Sequence, residues 1–218
     1  MIKKISRLLT IVTLLGIAFV SAGWFLGGAQ SQHRQSKDVD VLSGVPQKSL
    51  REIARERDVE FESFPEIAEF NDLSSLARSS KVIVLGRIIK AESEFTKSGH
   101  DIETIYSVDV QQVLKSDSRV EFPLRFVNYG GTVYSNGHKA TVKVKGIEAL
   151  KIGNDYIFFL ALNSNSDRYV LEGGMSSVFR VKDNARVYSL ASHDENKLRL
   201  NYNGTDLQEF INQLLTLR

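Results

Sequence analysis

The stretch that decides the fold is KVIVLGRIIKAES, residues 81–93, followed by IETIYSVDVQQVLK, residues 102–115. The first segment begins with consecutive apolar residues, as expected for a strand that is buried on both faces at the centre of a barrel or sandwich. In the second, every other residue from Tyr106 to Val110 is apolar, which gives one buried face and one wet face. The turn-forming residues 97–101 join the two, so we expect paired strands.

Period-two patterns continue toward the carboxyl terminus and predict a mainly β body of about seven strands. The segment 150–162 is the most hydrophobic of them, and Lys139, Lys143 and Lys145 form a row along a half-buried strand. Such a lysine row would discourage edge-to-edge pairing. The other strands are predicted over residues 120–127, 169–171, 178–181 and 186–190.

Short helices are predicted at both ends of the β body. Ser49–Asp58 resembles one helix, and Leu73–Ser79 a second, capped by Asn71 or Asp72. Near the carboxyl end the pattern becomes helical again, so we expect one helix packed on the sheet. Its apolar stripe consists of Leu207, Phe210, Ile211, Leu214 and Leu215.

Three segments together resemble a netrin-like, TIMP-type domain: KVIVLGRII at 81–89, YSVDVQQVLK at 106–115 and LKIGNDYIFFL at 150–160. The resemblance covers roughly residues 73–162 and implies a single OB-like β-barrel. Ser116-Asp117 replaces the glycine that commonly follows the Leu-Lys pair, and the cysteines of the family are missing. The chain therefore lacks the amino-terminal cysteine with which TIMPs chelate a protease zinc, and only the fold carries over. The pattern also resembles exported bacterial proteins without assigned function.

Residues 1–29 have the features of a signal anchor or a signal peptide. An uncharged apolar run from Leu8 to Leu26 is close to the roughly 20 residues that cross a bilayer core, so this run is expected to contact the membrane. Small residues at 20–22 and 27–29 also suit signal peptidase, and cleavage stays an alternative. The basic residues before the run keep the amino terminus in the cytosol and export the rest. They are Lys3, Lys4 and Arg7.

Composition excludes several classes of function. Only three of the 28 Lys and Arg lie in residues 1–29, which hold none of the 26 Asp and Glu, so the exported part is nearly neutral. Nucleic-acid binding requires a concentrated basic surface, and we expect no nucleic-acid partner. The chain has no cysteine, which excludes disulfides, a thiol nucleophile and thiolate zinc sites. The four histidines lack helical metal-binding spacing, and no metal or other cofactor is expected.

Residues 30–72 precede the β domain proper, which we assign to residues 73–218. The stalk begins with polar, aperiodic sequence, and its end, Glu56–Asp72, carries seven acids and one arginine. A solvated linker is the ordinary explanation of such a run. The alternative is an acidic arm that packs beside the lysine row Lys139, Lys143 and Lys145 of its own domain.

The candidate binding residues are Tyr129, Tyr134 and His138, which lie around Gly130-Gly131. Tyrosines in a glycine-rich loop supply rigid contact area, as recognition loops often do. Alternatively, the rings cover the barrel mouth and the glycines permit positive φ angles. No catalytic motif is present, so we expect no catalytic residues.

Two functional hypotheses remain. The first is a noncatalytic, membrane-tethered extracytoplasmic binding module whose partner is a protein or glycan of the cell envelope. The second is an extracytoplasmic hydrolase or protease-associated factor whose site forms only in three dimensions. In either case the chain is expected in the cell membrane with a single pass, or secreted or periplasmic after cleavage.

The charge asymmetry around Leu8–Leu26 makes a prediction about topology. Protease added to intact spheroplasts should degrade the chain beyond about Gln30, and alkaline carbonate should leave the full-length protein in the membrane pellet. Recovery of a soluble form that begins at Gly23 or Gln30 would disprove the anchor and retain export.

Overall fold

The structure, a computed structural model, describes residues 48–63, 70, 72–117, 119–144, 148–163, 166–182, 184–190 and 196–217. It confirms a mainly β chain with two sheets and a carboxyl-terminal helix. The candidate membrane segment Leu8–Leu26 and the stalk up to residue 47 lie outside the described residues. Within the described ranges, no helix combines the length and apolar character that crossing a bilayer requires.

The elements follow one another along the chain with short connections. In order they are α1 Leu50–Ile53, β1 Val59–Ser63, α2 Leu73–Ser79, β2 Val82–Phe95, β3 Ile102–Ser116, β4 Leu124–Tyr129, β5 Gly131–Ser135, β6 His138–Val144, β7 Asp155–Leu162, β8 Tyr169–Leu171, a 3-10 helix Gly174–Ser177, β9 Phe179–Lys182, β10 Arg186–Ser189, α3 Lys197–Tyr202 and α4 Leu207–Thr216.

The strands form a larger sheet and a smaller one. The larger sheet, sheet B, has the order β10-β9-β7-β2-β3-β4-β8, and β8 also pairs with β7. All its pairings are antiparallel except that between β4 and β8. The smaller sheet, sheet A, has the order β1-β6-β5, in which β1 and β6 run parallel.

The first part of β2, Val82–Gly86, is buried on both faces, as the sequence predicted, whereas most of its residues from Arg87 onward are exposed. Val82 and Val84 belong to one hydrophobic cluster, the first core cluster, which also contains Val108. Ile83 and Leu85 point the other way, into a second core cluster. The same alternation divides β7: its even-numbered residues 156, 158 and 160 join the first cluster, and 157 and 159 join the second.

Aromatic rings fill the first core cluster. The rings of Tyr106 and Phe126 stack with centroids 5.2 Å apart, and Phe126 lies 5.0 Å from Phe158. Tyr156 extends the series, 5.6 Å from Phe158. The hydroxyl of Tyr156 accepts the backbone N–H of Lys151 at 3.0 Å, so this buried polar atom is satisfied.

Helices α2 and α4 cover the second core cluster. Asp72, and not Asn71, caps α2 by accepting the N–H of Ser75 at 2.7 Å. In α4, Phe210 is fully buried, and its ring lies 4.8 Å from that of Phe179 and 5.4 Å from that of Tyr202. The predicted packing of a carboxyl-terminal helix on the sheet is thus confirmed.

The side chain of Lys115, at the end of β3, stabilises the carboxyl end of α2. Its ammonium donates to the carbonyl oxygens of Ala77 at 2.9 Å and Ser80 at 2.7 Å. A cation at this end of a helix satisfies free carbonyls and opposes the negative end of the helix dipole. The preceding Leu114 is buried in the second core cluster, so the pair attaches β3 to α2 through both side chains.

Several predicted boundaries were wrong, and so was the expected position of the lysine-bearing strand at the edge of a sheet. The helix α1 is only Leu50–Ile53, and the strand predicted at 120–127 is Leu124–Tyr129. Helix α3, Lys197–Tyr202, was not predicted. The lysine-bearing strand β6 is no exposed edge but the centre of sheet A, because β1 pairs on one side and β5 on the other.

The burial of Phe210 makes a prediction about stability. Truncating a buried phenylalanine costs about 3–5 kcal/mol, so Phe210→Ala should lower the melting temperature of the full-length chain in detergent by roughly 10 °C. Leu215→Ala on the same helix is the matched control, since Leu215 is 39% exposed and should shift melting by only a few degrees. Circular dichroism measures the melting temperature of both variants. Equal decreases for Phe210→Ala and Leu215→Ala would contradict the packing of α4.

Candidate functional site

The chain passes from sheet B to sheet A at Gly130-Gly131, between β4 and β5. The N–H of Gly130 donates to the carbonyl of Ile102 at 2.8 Å, and its carbonyl accepts the hydroxyl of Thr104 at 2.6 Å. That hydroxyl lies 2.8 Å from the hydroxyl of Ser93 on β2. The far end of the β2–β3 hairpin therefore holds the start of sheet A.

Gly131 is glycine for two reasons. Its φ of 136° is a conformation that other residues rarely adopt, and a Cβ there would overlap the hydroxyls of Ser93 and Thr104. The proposed explanation that the glycines permit positive φ angles is therefore correct, and close backbone approach adds to it. The glycines position sheet A and need no ligand to account for them.

The three candidate binding residues do not form one cluster. In the β5–β6 pairing, Tyr134 lies opposite Lys139, and His138 lies opposite Ser135. Successive side chains of a strand point to opposite faces, so Tyr134 and His138 occupy different faces of sheet A. Tyr134 is 71% exposed, and its face also carries Thr132.

Tyr129 lies at the end of β4 in sheet B, opposite Glu103. Its side chain is half exposed. Burial of the remainder raises the pKa of the Tyr129 hydroxyl, and the charges of Asp101 and Glu103 act in the same direction. The hydroxyl therefore stays protonated at neutral pH and serves as a hydrogen-bonding group rather than as a base.

The acidic arm packs beside the lysine row, and it does so as a strand. β1 pairs with β6 over the whole of Val59–Ser63. The carboxylate of Glu60 lies 2.6 Å from the ammonium of Lys143, and Asp58 accepts the backbone N–H of Lys139 at 2.8 Å. The prediction for the arm Glu56–Asp72 is confirmed for Asp58–Ser63 beside Lys139 and Lys143, while residues 64–69 and 71 of the arm and Lys145 lie outside the described residues.

Hydrogen bonds lower the pKa values of two carboxyls of the arm, Asp58 and Glu60. For Asp58 the first cause is the backbone N–H of Lys139, and His138, whose Nδ1 lies 3.4 Å away, adds to it. For Glu60 the cause is Lys143. A carboxyl with a lowered folded-state pKa stabilises the fold above its ordinary pKa, and this contribution is lost as pH falls through the lowered value. Asp58 and Glu60 are thus ionised and bonded to β6 at neutral pH.

The sequence contained a signal for β1 that composition obscured. From Asp58 to Glu62 the residues alternate strictly between acidic and apolar, which is the period of a strand. The density of charge favoured a linker instead. The lysine row that was interpreted as protection of an edge is the counter-charge of this strand.

The described residues include no group of three or more histidine or acidic side chains that could hold a metal ion. Asp155 accepts both nitrogens of the Arg87 fork at 2.8 Å and a hydrogen bond from Gln111. Arg87 lowers the pKa of Asp155, so this carboxyl stays ionised and is unsuited to donate a proton at neutral pH.

A cavity of about 560 Å³ lies between α2, β3 and α4. Its walls combine apolar side chains such as Ile83 and Leu214 with Lys115. The Lys115 ammonium already donates hydrogen bonds to carbonyl oxygens at the carboxyl end of α2, and these bonds stabilise the helix. Arg78, Ser116 and Asp117 also line the cavity, so its walls mix apolar and charged side chains.

Comparison of the chain with models of known protein families gave no match, and comparison with curated proteins gave none either.

The crowding at Gly131 is tested by paired substitutions. Gly131 and Gly137 both have positive φ angles, but a Cβ at Gly137 would meet nothing within 4 Å. Gly137→Ala should cost about 1–2 kcal/mol for the backbone alone, and Gly131→Ala about 2–4 kcal/mol because overlap is added. Denaturant unfolding of the full-length chain measures both. Equal losses would mean that the Ser93–Thr104 pair does not fix sheet A.

Proposed function

We propose that the chain is a noncatalytic, membrane-tethered binding module that works outside the cytoplasm, with an OB-like barrel as its body. The observation that carries the proposal is the outer face of sheet A, on which Tyr134, Lys139 and Lys143 are exposed. Thr132 on the same face is half-buried, and Thr141 is buried with its hydroxyl 3.0 Å from that of Thr132. The face thus combines an exposed tyrosine with cations on a supported sheet. Such surfaces bind protein or glycan partners through amphipathic aromatic contact and hydrogen bonds.

Strand order supports the barrel. Pairings lead from β2 through β3, β4 and β8 to β7, and β7 pairs again with β2, which is a closed cycle of five strands. A partly open five-stranded barrel is the architecture of the OB fold. Aromatic rings of the first core cluster would fill its interior, so recognition belongs to the outside of the molecule.

The motifs that carry the netrin-like resemblance have physical roles in this chain, which also supports the proposal. Leu114-Lys115 attaches β3 to α2. Gly153, with φ of 86°, donates its N–H to the carbonyl of Ile88 at 2.8 Å and begins the turn into β7. Three residues later, the buried Tyr156 closes the same turn through its hydroxyl. These contacts fix the connections that such a barrel needs.

The amino-terminal sequence supports the tether. The cations before Leu8 and the uncharged run Leu8–Leu26 suit a single pass with the β body exported, or a periplasmic or secreted form after cleavage. The partner would then be a protein or glycan of the cell envelope.

Photo-crosslinking in living cells tests this function. Benzoylphenylalanine replaces Tyr134 on the outer face of sheet A, or Ile152 in the turn before β7, which is 60% exposed and serves as the control. We expect a discrete adduct with an envelope protein or glycan from position 134 and none from position 152. Absence of an adduct from position 134, in cells where the chain is exported, would refute the proposed surface.

A further inference from the structure

We infer that the edge of β6 occupied by β1 is a recognition site for an extended acidic peptide strand, and that β1 is its built-in occupant. The inference rests on the proposed function, because it names a partner class for the same sheet. It concerns the hydrogen-bonding edge of β6 and the ion pair that reaches Lys143, whereas the crosslink that tests the proposed function starts from Tyr134 on β5, so the two can be tested separately.

β1 is held by little buried surface. None of its five residues is buried, and Glu60, Phe61 and Glu62 are exposed. Only Val59 packs on the third core cluster, which consists of Leu50, Ala54, Ile102, Ala140 and Val142. What retains β1 is the ladder with β6 and exposed ion pairs, which individually contribute little.

β6 stays in place without β1. On its other side β6 pairs with β5 along the whole of Gly131–Ser135. Ala140 and Val142 are buried in the third core cluster, together with Leu50 from α1 and Ile102 from β3. Departure of β1 would therefore leave a formed strand with a row of unpaired backbone groups. Such an edge accepts an added strand through main-chain hydrogen bonds.

The contacts of β1 define the chemistry of the occupant. Acidic residues stand at positions 58, 60 and 62, and the apolar Val59 and Phe61 stand between them. Glu60 meets the Lys143 ammonium and Asp58 accepts the Lys139 backbone N–H, while Val59 packs on the third core cluster. A matching partner is an extended segment that alternates acidic with apolar residues and runs parallel to β6.

Competition with β1 limits binding in the resting protein. A tethered strand has an effective concentration in the millimolar range. The apparent affinity for a free peptide is reduced by the fraction of molecules whose edge is open. Weakening β1 without changing β6 should therefore raise the affinity for the peptide.

The test measures binding of a fluorescent peptide with the sequence of residues 57–63, RDVEFES, to the purified full-length chain in detergent. Glu60→Lys places a cation on β1 beside Lys143 and should increase peptide affinity about tenfold over the wild type. Glu121→Lys is the matched control, because Glu121 is exposed before β4 and away from sheet A, and should leave affinity unchanged. A scrambled peptide should bind none of these proteins.

A second substitution reverses the effect. Adding Lys143→Glu to Glu60→Lys restores opposite charges between β1 and β6 and repels the peptide, so affinity should return to the wild-type level or below. Glu60→Gln removes the ion pair without repulsion, and it should give a smaller increase even if Glu60→Lys does not fold. Equal peptide affinities of the wild type, Glu60→Gln and Glu121→Lys would overturn the inference.

The two proposals fail separately. Peptide binding without a crosslink from Tyr134 would leave the β6 edge as the site and remove the outer face. A crosslink without peptide binding would retain the outer face and leave β1 as a permanent strand of sheet A.

Discussion

Both sheets are built on the antiparallel ladder between β2 and β3, which runs from Val82–Ser116 to Phe95–Ile102. The ladder is the middle of sheet B: β4 pairs with β3 at Glu103–Val108, toward the turn, and β7 pairs with β2 at Val82–Arg87, toward the open end. Side chains near the open end divide between the first and second core clusters, so two hydrophobic faces depend on one pair of strands. Near the turn, the ladder also supports sheet A, through the Ser93–Thr104 hydroxyl pair and Ile102. A fault in the register of β2 and β3 would therefore displace both sheets.

Burial and charge differ between the two ends of this ladder. The sheet B end is enclosed by aromatic rings and by helices α2 and α4, and its core residues are almost completely buried. The sheet A end carries a strand, β1, that is attached by ion pairs and main-chain hydrogen bonds and buries little apolar surface. Hydrophobic burial contributes most of the stability of a domain, whereas exposed ion pairs contribute little. We therefore assign structural support to the first end, and the second end is where the proposed recognition would take place.

Hydrophobic spacing and capping residues along the sequence predicted those helices and strands whose formation depends on neighbouring residues. The two-sided apolar run gave β2, helical spacing gave α4, and the Asp72 cap fixed the start of α2 at Leu73. Pairings between distant segments were less accessible, because alternation specifies which face of a strand is buried but not which strand lies beside it. β1 is the clearest case: its five residues pair with β6 some eighty positions later, and its acidic composition concealed its period. The faces on which Tyr134 and His138 lie follow from the turn at Asn136-Gly137 and the register of β5 and β6, whereas the position of Tyr129 follows from the pairing of β4 with β3.

Native-state hydrogen exchange of the full-length chain tests this division of stability most directly. The central amides of β2, β3 and β7 should exchange only through global unfolding, with the largest free energies in the molecule. The amides that join β1 to β6 should exchange through a separate opening of much lower free energy, and added salt should lower it further. A single free energy for all these amides, unaffected by salt, would contradict the account, since β1 would then be as integral to the fold as β2.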